Sequence, residues 1–115
     1  MSQGPVTVLC TYRVIPGREE AFRDLLARHW PTLRGAGLVT EKPPLTYTGE
    51  DETGGPVFYE IFEWMDAEAP HSAHGSPAVM AVWEPMGEVC EDRAGRSKFE
   101  FPHVHPVEVD YTWSD

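Results

Sequence analysis

The sequence has few positive charges. Nine lysines and arginines stand against nineteen aspartates and glutamates, so the formal net charge at neutral pH is −10. No cluster of basic residues offsets this charge locally. Because such a chain repels phosphate backbones and anionic lipid surfaces, the composition argues against nucleic acid and against a membrane as partners.

Cysteine and long apolar runs are also scarce. Cys10 and Cys90 are the only cysteines, too few for a disulfide scaffold or a zinc ribbon, and both lie in apolar-periodic segments, which predicts buried free thiols. No apolar run approaches the length of a membrane span. The opening residues lack the basic and long apolar regions of a secretory signal, so we expect a cytoplasmic protein.

The first part of the chain predicts a strand followed by a helix. The length of 115 residues indicates a single domain, with its core within residues 5–110. Residues 5–14 alternate in polarity, as a strand does. Residues 15–37 predict an amphipathic helix that Pro31 should bend or loosen in its last turn. Its apolar stripe consists of Phe22, Leu25, Leu26, Trp30 and Leu33.

Two further strands are predicted in the middle of the chain. The segment "LVTEKPPLTYT" indicates an edge strand, because Pro43 and Pro44 cannot donate to a sheet ladder. An acidic, glycine-rich turn, "GEDETGG", separates it from "VFYEIFEW", the most apolar strand of the chain. The latter is apolar on both faces apart from Glu60 and Glu63, which predicts that both of its faces are covered.

The last part of the chain predicts two helices and a final strand. Asp66 is placed to cap a short helix that ends near Ala73, and Ser76 and Pro77 begin a second helix. The apolar stripe of this second helix consists of Val79, Val82, Trp83, Met86, Val89 and Cys90. The segment "FEFPHVHPVEV" predicts a strand broken by prolines. One face of that strand would carry Phe99, Phe101, His103, His105, Val107 and Val109.

The order β-α-β-β-α-β is that of the ferredoxin-like split βαβ fold of the α+β class, with a four-stranded antiparallel sheet and helices on one face. The other face would carry Leu9, Tyr59 and Ile61. An apolar patch of this size is rarely left in water, so the pattern predicts a homodimer in which a second copy covers it.

The segments "YRVIPGREEAF" and "FYEIFEWMDAEAPHSAHGSPAVMAVW" resemble the dimeric α+β barrel superfamily. That superfamily contains the antibiotic-biosynthesis monooxygenases, the quinol-type monooxygenases and the haem-degrading oxygenases. The resemblance covers residues 5–110 and implies a dimeric barrel with a cleft between the sheet and the helices. Its pattern is most similar to uncharacterised members of the superfamily.

The resemblance also implies site residues. A tryptophan late in the third strand lines the cleft, and Trp64 holds that place. Glu60 holds the place of an asparagine that helps to bind substrate in monooxygenases of polycyclic phenols. Cys10 and Trp83 fall where haem-degrading members have an asparagine and a histidine. The sequence contains no asparagine at all, which counts against haem degradation.

Glu60 permits two interpretations. It shares a strand face with Phe58, Phe62 and Trp64, and a carboxylate there is either a structural acceptor of hydrogen bonds or a base of raised pKa in a dry cleft. His74 is a second catalytic candidate, as a proton shuttle. The residues predicted to bind substrate are Trp64, Tyr12, Cys10, Phe62 and Trp83.

Histidine pairs raise the question of a metal. His71 and His74 lie one helical turn apart, and His103 and His105 share a strand face. Neither pair has a third ligand close in sequence, and prolines make the second pair irregular. We therefore expect neither a metal nor another cofactor.

Two functions are consistent with these features. The first is a small monooxygenase-like enzyme that oxidises a planar aromatic of the quinol or polyketide type without its own metal or flavin. The second is a non-catalytic ligand-binding or structural member of the superfamily. The missing asparagine and histidine favour the second function, and an apolar cavity beside Glu60 would favour the first.

Overall fold

The computed structural model describes residues 4–113. Its elements, in chain order, are β1 (Val6–Arg13), α1 (Glu19–Gly35), β2 (Leu45–Glu50), β3 (Pro56–Trp64), α2 (Ala69–His74), α3 (Pro77–Glu88), β4 (Phe99–Glu100) and β5 (His103–Val104). None of the helices formed by these residues is long and apolar enough to cross a membrane.

The strands form one antiparallel sheet in the order β2-β3-β1-β4, and β5 also pairs with β1. β4 and β5 together take the place of the predicted fourth strand, since Pro102 interrupts the strand between them. α1 and α3 pack against each other on one face of the sheet. The predicted α+β fold, with helices on one face, is confirmed.

The core lies between the sheet and the helices. β1 and β3 pair in a register that sets Cys10 opposite Glu60 and Tyr12 opposite Phe58. Period two then directs alternate side chains of both strands toward the helices. The buried residues between the sheet and the helices include Val8, Cys10, Tyr12, Phe58, Glu60, Phe62 and Trp64 of the sheet, Phe22, Leu25, His29 and Leu33 of α1, and Val79, Val82 and Met86 of α3.

Three local predictions need correction. β2 begins after Pro43 and Pro44 and continues to Glu50, so the prolines precede the strand and its last residues come from the predicted turn. Pro31 does not loosen α1, which remains helical to Gly35. Asp66 is not the N-cap residue of α2, which is Glu68, although Asp66 Oδ1 accepts the backbone N–H groups of Glu68 and Ala69 at 3.0 Å just before the helix.

The predicted last strand is wrong beyond Val104. Residues 105–113 have no regular secondary structure, and their side chains are exposed, including His105, Val107 and Val109. β5 pairs Val104 with Thr7, and β1 begins at Val6, so the sheet offers the following residues no strand to pair with.

Arg93 ties the loops at one end of the sheet together. Its guanidinium donates to the backbone carbonyls of Val14 (2.5 Å) and Pro56 (3.2 Å) and to the carboxylates of Asp51 (3.0 Å) and Glu91 (3.1 Å). Hydrogen bonds from Thr53 and from Arg93 hold the pKa of Asp51 well below its usual range.

We expect Arg93→Ala to lower the free energy of unfolding by about 2 kcal/mol, because the carbonyl of Val14 loses its donor and the carbonyl of Pro56 keeps only the backbone N–H of Val14. Arg93→Lys should recover only part of the loss, since a single ammonium cannot reproduce the planar fork. Urea denaturation measures both effects. Equal stability of the wild-type and alanine proteins would contradict this account of the loop contacts.

Candidate active site

A cavity of about 370 Å³ lies between the sheet and the helices. Its walls are mostly apolar and aromatic, and every element of the described chain except β2 contributes to them. The lining residues are Val8, Cys10 and Tyr12 of β1, His29 of α1, Phe62 and Trp64 of β3, Pro70 and His74 of α2, Met80, Trp83, Glu84, Met86 and Gly87 of α3, and Phe99, Phe101 and His103 near the C-terminus.

This cavity brings together six of the seven residues predicted for the site. His74 and the five predicted substrate-binding residues line it. Phe62 and Trp64 meet edge to face with ring centroids 5.1 Å apart. Their alternation along β3 directs both rings toward the helices, as the strand pattern predicts.

Glu60 is the exception, because it is not among the lining residues of the described chain. Its side chain is on the predicted helix-facing side of β3 but is 1% exposed and lies behind the wall. Glu60 Oε1 accepts a hydrogen bond from the Tyr12 hydroxyl at 2.8 Å and contacts Nδ1 of His29 at 2.9 Å. The structural interpretation of Glu60, as an acceptor of hydrogen bonds, matches this geometry.

His29 connects Glu60 to Trp83. The Trp83 indole N–H donates to Nε2 of His29 at 2.9 Å. An indole nitrogen can only donate, so Nε2 carries no proton and the neutral ring donates its Nδ1–H to Glu60. Trp83, His29, Glu60 and Tyr12 therefore form a continuous chain of hydrogen bonds, in which Glu60 lies behind the cavity wall and the other three residues line it. We call this chain the buried relay.

The sequence interpretation did not include His29. A signal for it existed, because His29 lies four residues after Leu25 and four before Leu33, within the apolar stripe of α1. A histidine at such a position is buried, 3% exposed here, and needs polar partners. Glu60 is the complementary group on the facing strand.

His74 differs from His29 because only one of its two ring nitrogens has a hydrogen-bond partner among the described residues. It lies on α2, exposed toward solvent on one side and lining the cavity on the other. Its Nδ1 lies 3.0 Å from the backbone carbonyl of Pro70, one turn earlier. A carbonyl can only accept, so Nδ1 carries the proton and Nε2 of the neutral ring keeps a lone pair. Its ring packs against Trp83 with centroids 5.0 Å apart.

The Tyr12 hydroxyl and the Cys10 thiol, which also line the cavity, keep their protons. Burial, together with the nearby charge of Glu60, raises the pKa of the Tyr12 hydroxyl and of the Cys10 thiol. Burial likewise raises the pKa of Cys90 to about 12. Both cysteines are free and buried, as predicted. Tyr12 therefore acts as a hydrogen-bond donor, and Cys10 contributes a small apolar surface.

The two histidine pairs considered as metal ligands, His71 with His74 and His103 with His105, do not each lie together at the cavity. His74 and His103 line the cavity, whereas His71 and His105 are exposed. Residues 4–113 contain no group of three or more histidine, cysteine, aspartate or glutamate side chains placed to hold a metal ion.

Comparison with solved structures gives many matches at low sequence identity. SnoaB, a cofactor-independent oxygenase from Streptomyces nogalater, is 15% identical with a TM-score of 0.62, covering 92% of this chain and 96% of that chain. An antibiotic biosynthesis monooxygenase-like protein from Bordetella bronchiseptica is 17% identical with a TM-score of 0.67, covering 92% of this chain and 100% of that chain.

A third such protein, from Caulobacter crescentus, is 18% identical with a TM-score of 0.59, covering 90% of this chain and 92% of that chain. No protein-family model and no curated protein matches the sequence. Identities this low establish the fold alone. The chain therefore has the α+β fold of the antibiotic biosynthesis monooxygenase-like proteins, as its sequence motifs predict.

Proposed function

We propose that the protein is a monooxygenase that oxidises a planar aromatic molecule with O₂ and needs no metal or flavin of its own. The observation that carries this proposal is the apolar cavity of about 370 Å³, which places an imidazole with a free Nε2, that of His74, in an aromatic wall. Its fold is also that of SnoaB, which is a cofactor-independent oxygenase.

The cavity suits a small fused-ring phenol. Its volume lies within the range of small-molecule sites, which are mostly apolar with a few polar groups that fix orientation. The rings of Phe62, Trp64 and Trp83 offer edges and faces for stacking. His74 is a polar group of this wall that can accept a proton from a substrate hydroxyl.

In the proposed reaction, Nε2 of His74 takes the proton of a phenolic hydroxyl. The resulting electron-rich anion reduces O₂. One oxygen atom bonds to a ring carbon, whose C–H bond breaks, and the other leaves as water with that hydrogen and the proton held by His74, so the product is a quinone. The substrate supplies all the electrons, so the balance requires no further reductant. Apolar walls keep bulk water away from the anion, which favours this reaction over simple reprotonation.

Glu60 has a different role in this proposal from the base that the sequence suggested. Its carboxylate is occupied by Tyr12 and by His29, and these two residues separate it from the cavity. We assign Glu60 to positioning, because it fixes the tautomer of His29 and the direction of the Tyr12 hydroxyl. His74 remains the proposed base.

The test is O₂ uptake with a panel of naphthols, hydroxyanthrones and hydroquinones, in the presence of a metal chelator. We expect saturable uptake of one O₂ per substrate molecule. Met80→Trp should abolish it, because Met80 lines the cavity and a larger ring there would occupy the substrate volume. Met65→Trp is the matched control, since Met65 is exposed and lies outside the cavity wall.

The same experiment tests the second function. Saturable binding of an aromatic, lost in Met80→Trp and unaccompanied by O₂ uptake with any member of the panel, would contradict the enzyme and support the non-catalytic binding module. Absence of both binding and uptake would contradict the assignment of the cavity as a ligand site.

We also propose that the protein is a homodimer. Leu9, Tyr59 and Ile61 lie on the sheet face away from the helices and are only half-buried, and Leu45 and Tyr47 beside them are 56% and 57% exposed. A second copy would remove this apolar face from water. Light scattering at micromolar concentration should give twice the chain mass of 12.9 kDa. A mass equal to one chain would contradict this proposal.

A further inference from the structure

The cavity wall of the described chain contains neither lysine nor arginine. All nine lysines and arginines of the sequence lie within residues 4–113, and none of them lines the cavity. Lys98 contacts one residue of the wall, but its ammonium is bound there to the backbone carbonyl of Gly87 at 3.2 Å. A molecule in the cavity therefore meets no basic side chain of this wall that could neutralise an anionic group.

Glu84 gives the wall a negative charge instead. It lies on α3 at the helical spacing of Met80, Trp83 and Gly87, which also line the cavity, so it belongs to the cavity-facing side of the helix. Glu84 is also exposed, which places it where the cavity opens to solvent. No ion pair within residues 4–113 includes Glu84. Its carboxylate therefore presents a negative charge, without a neighbouring cation, to an entering molecule.

Two further features add negative charge. Met86 and Gly87 line the cavity in the last turn of α3, and the C-terminus of a helix carries a partial negative charge. Burial and, second to it, the charge of Glu60 raise the pKa of Tyr12 and of Cys10, which line the cavity, so the charge of Glu60 acts at the wall. Negative charge thus acts both at the opening of the cavity and behind its wall.

Polar hydrogens of the wall are already used within the protein. The Tyr12 hydroxyl donates to Glu60. The Trp83 indole donates to His29, whose Nδ1–H is bonded to Glu60. His74 donates its Nδ1–H to a backbone carbonyl and keeps the lone pair of Nε2. An anionic group needs donors once it leaves water, whereas a hydroxyl group needs an acceptor, and Nε2 of His74 is one.

We propose that the cavity takes a neutral hydroxylated aromatic and excludes an aromatic that carries a carboxylate, and that Glu84 sets this specificity. The inference rests on the proposed function for the identity of the ligand site. It narrows the substrate class from planar aromatics in general to phenols without an anionic substituent, and the phenol enters in its neutral form.

This specificity agrees with the role proposed for His74. A phenol that enters in its neutral form still carries the proton that must be removed, so the reactive anion has to be made inside the cavity by a base. Transfer of this proton to Nε2 leaves the net charge in the cavity unchanged. The imidazolium and phenolate that result form a pair without net charge, which escapes the repulsion that an entering anion meets.

The first test compares two ligands of nearly equal shape, 6-hydroxy-2-naphthamide and 6-hydroxy-2-naphthoate. Binding is followed by tryptophan fluorescence without O₂, so no turnover is needed, and at about pH 8, where an ordinary imidazole is uncharged. We expect the amide to bind at least ~30-fold more tightly, because the carboxylate meets like charge and no basic partner. Equal affinities, or binding of neither ligand, would overturn the inference.

The second test assigns this preference to Glu84. Glu84→Gln should reduce the preference for the amide by ~5-fold or more, because it removes the charge and keeps the size of the side chain. Glu88→Gln is the matched control: Glu88 lies one turn later on α3, is exposed and does not line the cavity, and its replacement changes the net charge equally. The control should keep the wild-type preference. An equal change in both variants, or none in Glu84→Gln, would overturn the inference.

Salt separates repulsion from shape. Raising the ionic strength from about 0.02 M to about 0.5 M should weaken the preference for the amide, because salt screens charges near solvent. A preference that does not respond to salt would show that shape excludes the carboxylate and would overturn the inference.

O₂ uptake with the same two compounds tests the proposed reaction separately. A preference for the amide without O₂ uptake would support the inference and contradict the oxygenase. Equal uptake with the amide and with the carboxylate would support the oxygenase and overturn the inference.

Discussion

Replacing His74 with glutamine is expected to lower the turnover of an aromatic substrate by about 10²–10⁴-fold, the usual contribution of a positioned general base. Glutamine keeps a polar side chain of similar reach but cannot take up a proton. His74 is exposed on one side, and its described polar contact is a single hydrogen bond to Pro70, so the fold should be unaffected. O₂ uptake with the best substrate of the panel measures the effect.

The matched control is His71→Gln. His71 lies on the same short helix, is also exposed and does not line the cavity. Its replacement should change turnover by less than about 2-fold, as for a surface substitution far from the reacting atoms. Substrate affinity, measured by tryptophan fluorescence through Trp83, should be similar in both variants. Full activity of His74→Gln would show that another wall residue, such as His103, is the base.

His29→Leu is expected to lower the free energy of unfolding by about 3 kcal/mol, because it removes a hydrogen-bond donor from a buried carboxylate and the acceptor of the Trp83 indole N–H. The carboxylate of Glu60, 1% exposed, would keep only the hydroxyl of Tyr12, and the indole N–H of Trp83 would lose its acceptor. Leucine fills much of the imidazole volume, so the loss reports mainly the missing hydrogen bonds. Chemical denaturation measures it.

Two further variants separate charge from packing in the buried relay. Glu60→Gln should cost only about 1–3 kcal/mol, because the amide oxygen still accepts from Tyr12 and His29. The double variant His29→Leu with Glu60→Leu should be more stable than the sum of the single losses predicts, since it leaves no carboxylate unpaired. A loss below 1 kcal/mol in His29→Leu would show that the relay does not stabilise the fold.

The position of Glu60 in the buried relay shows what a strand pattern can predict and what it cannot. The alternation of β3 places Glu60 on the helix-facing side, and the structure has it there. A strand pattern contains no information on the facing helix, so it could not tell whether the carboxylate ends in the cavity or behind its wall. The packing of α1 over β3, which brings His29 within 2.9 Å, decides this.

The C-terminal segment, residues 105–113, illustrates the reverse case. Its alternation correctly predicts a chain segment with one apolar face. However, β1 begins at Val6, and Val104 already pairs with Thr7, so residues 105–113 have no part of β1 left to pair with. Strand formation needs a neighbouring strand as well as a pattern, because backbone hydrogen bonds must be made between chains or distant segments. The sequence alone therefore predicted a strand where this chain by itself forms none.

The sequence by itself determined the order of helices and strands, the helix-facing side of the sheet and the resemblance to the monooxygenase fold. These features follow from periodicity and from local capping, which act over a few residues. Only the tertiary structure decided that His29 supports Glu60, that His74 keeps a free nitrogen at the cavity and that residues 105–113 have no strand to pair with in the described chain. Each of these depends on side chains or strands far apart in the chain, whose distances are set by packing.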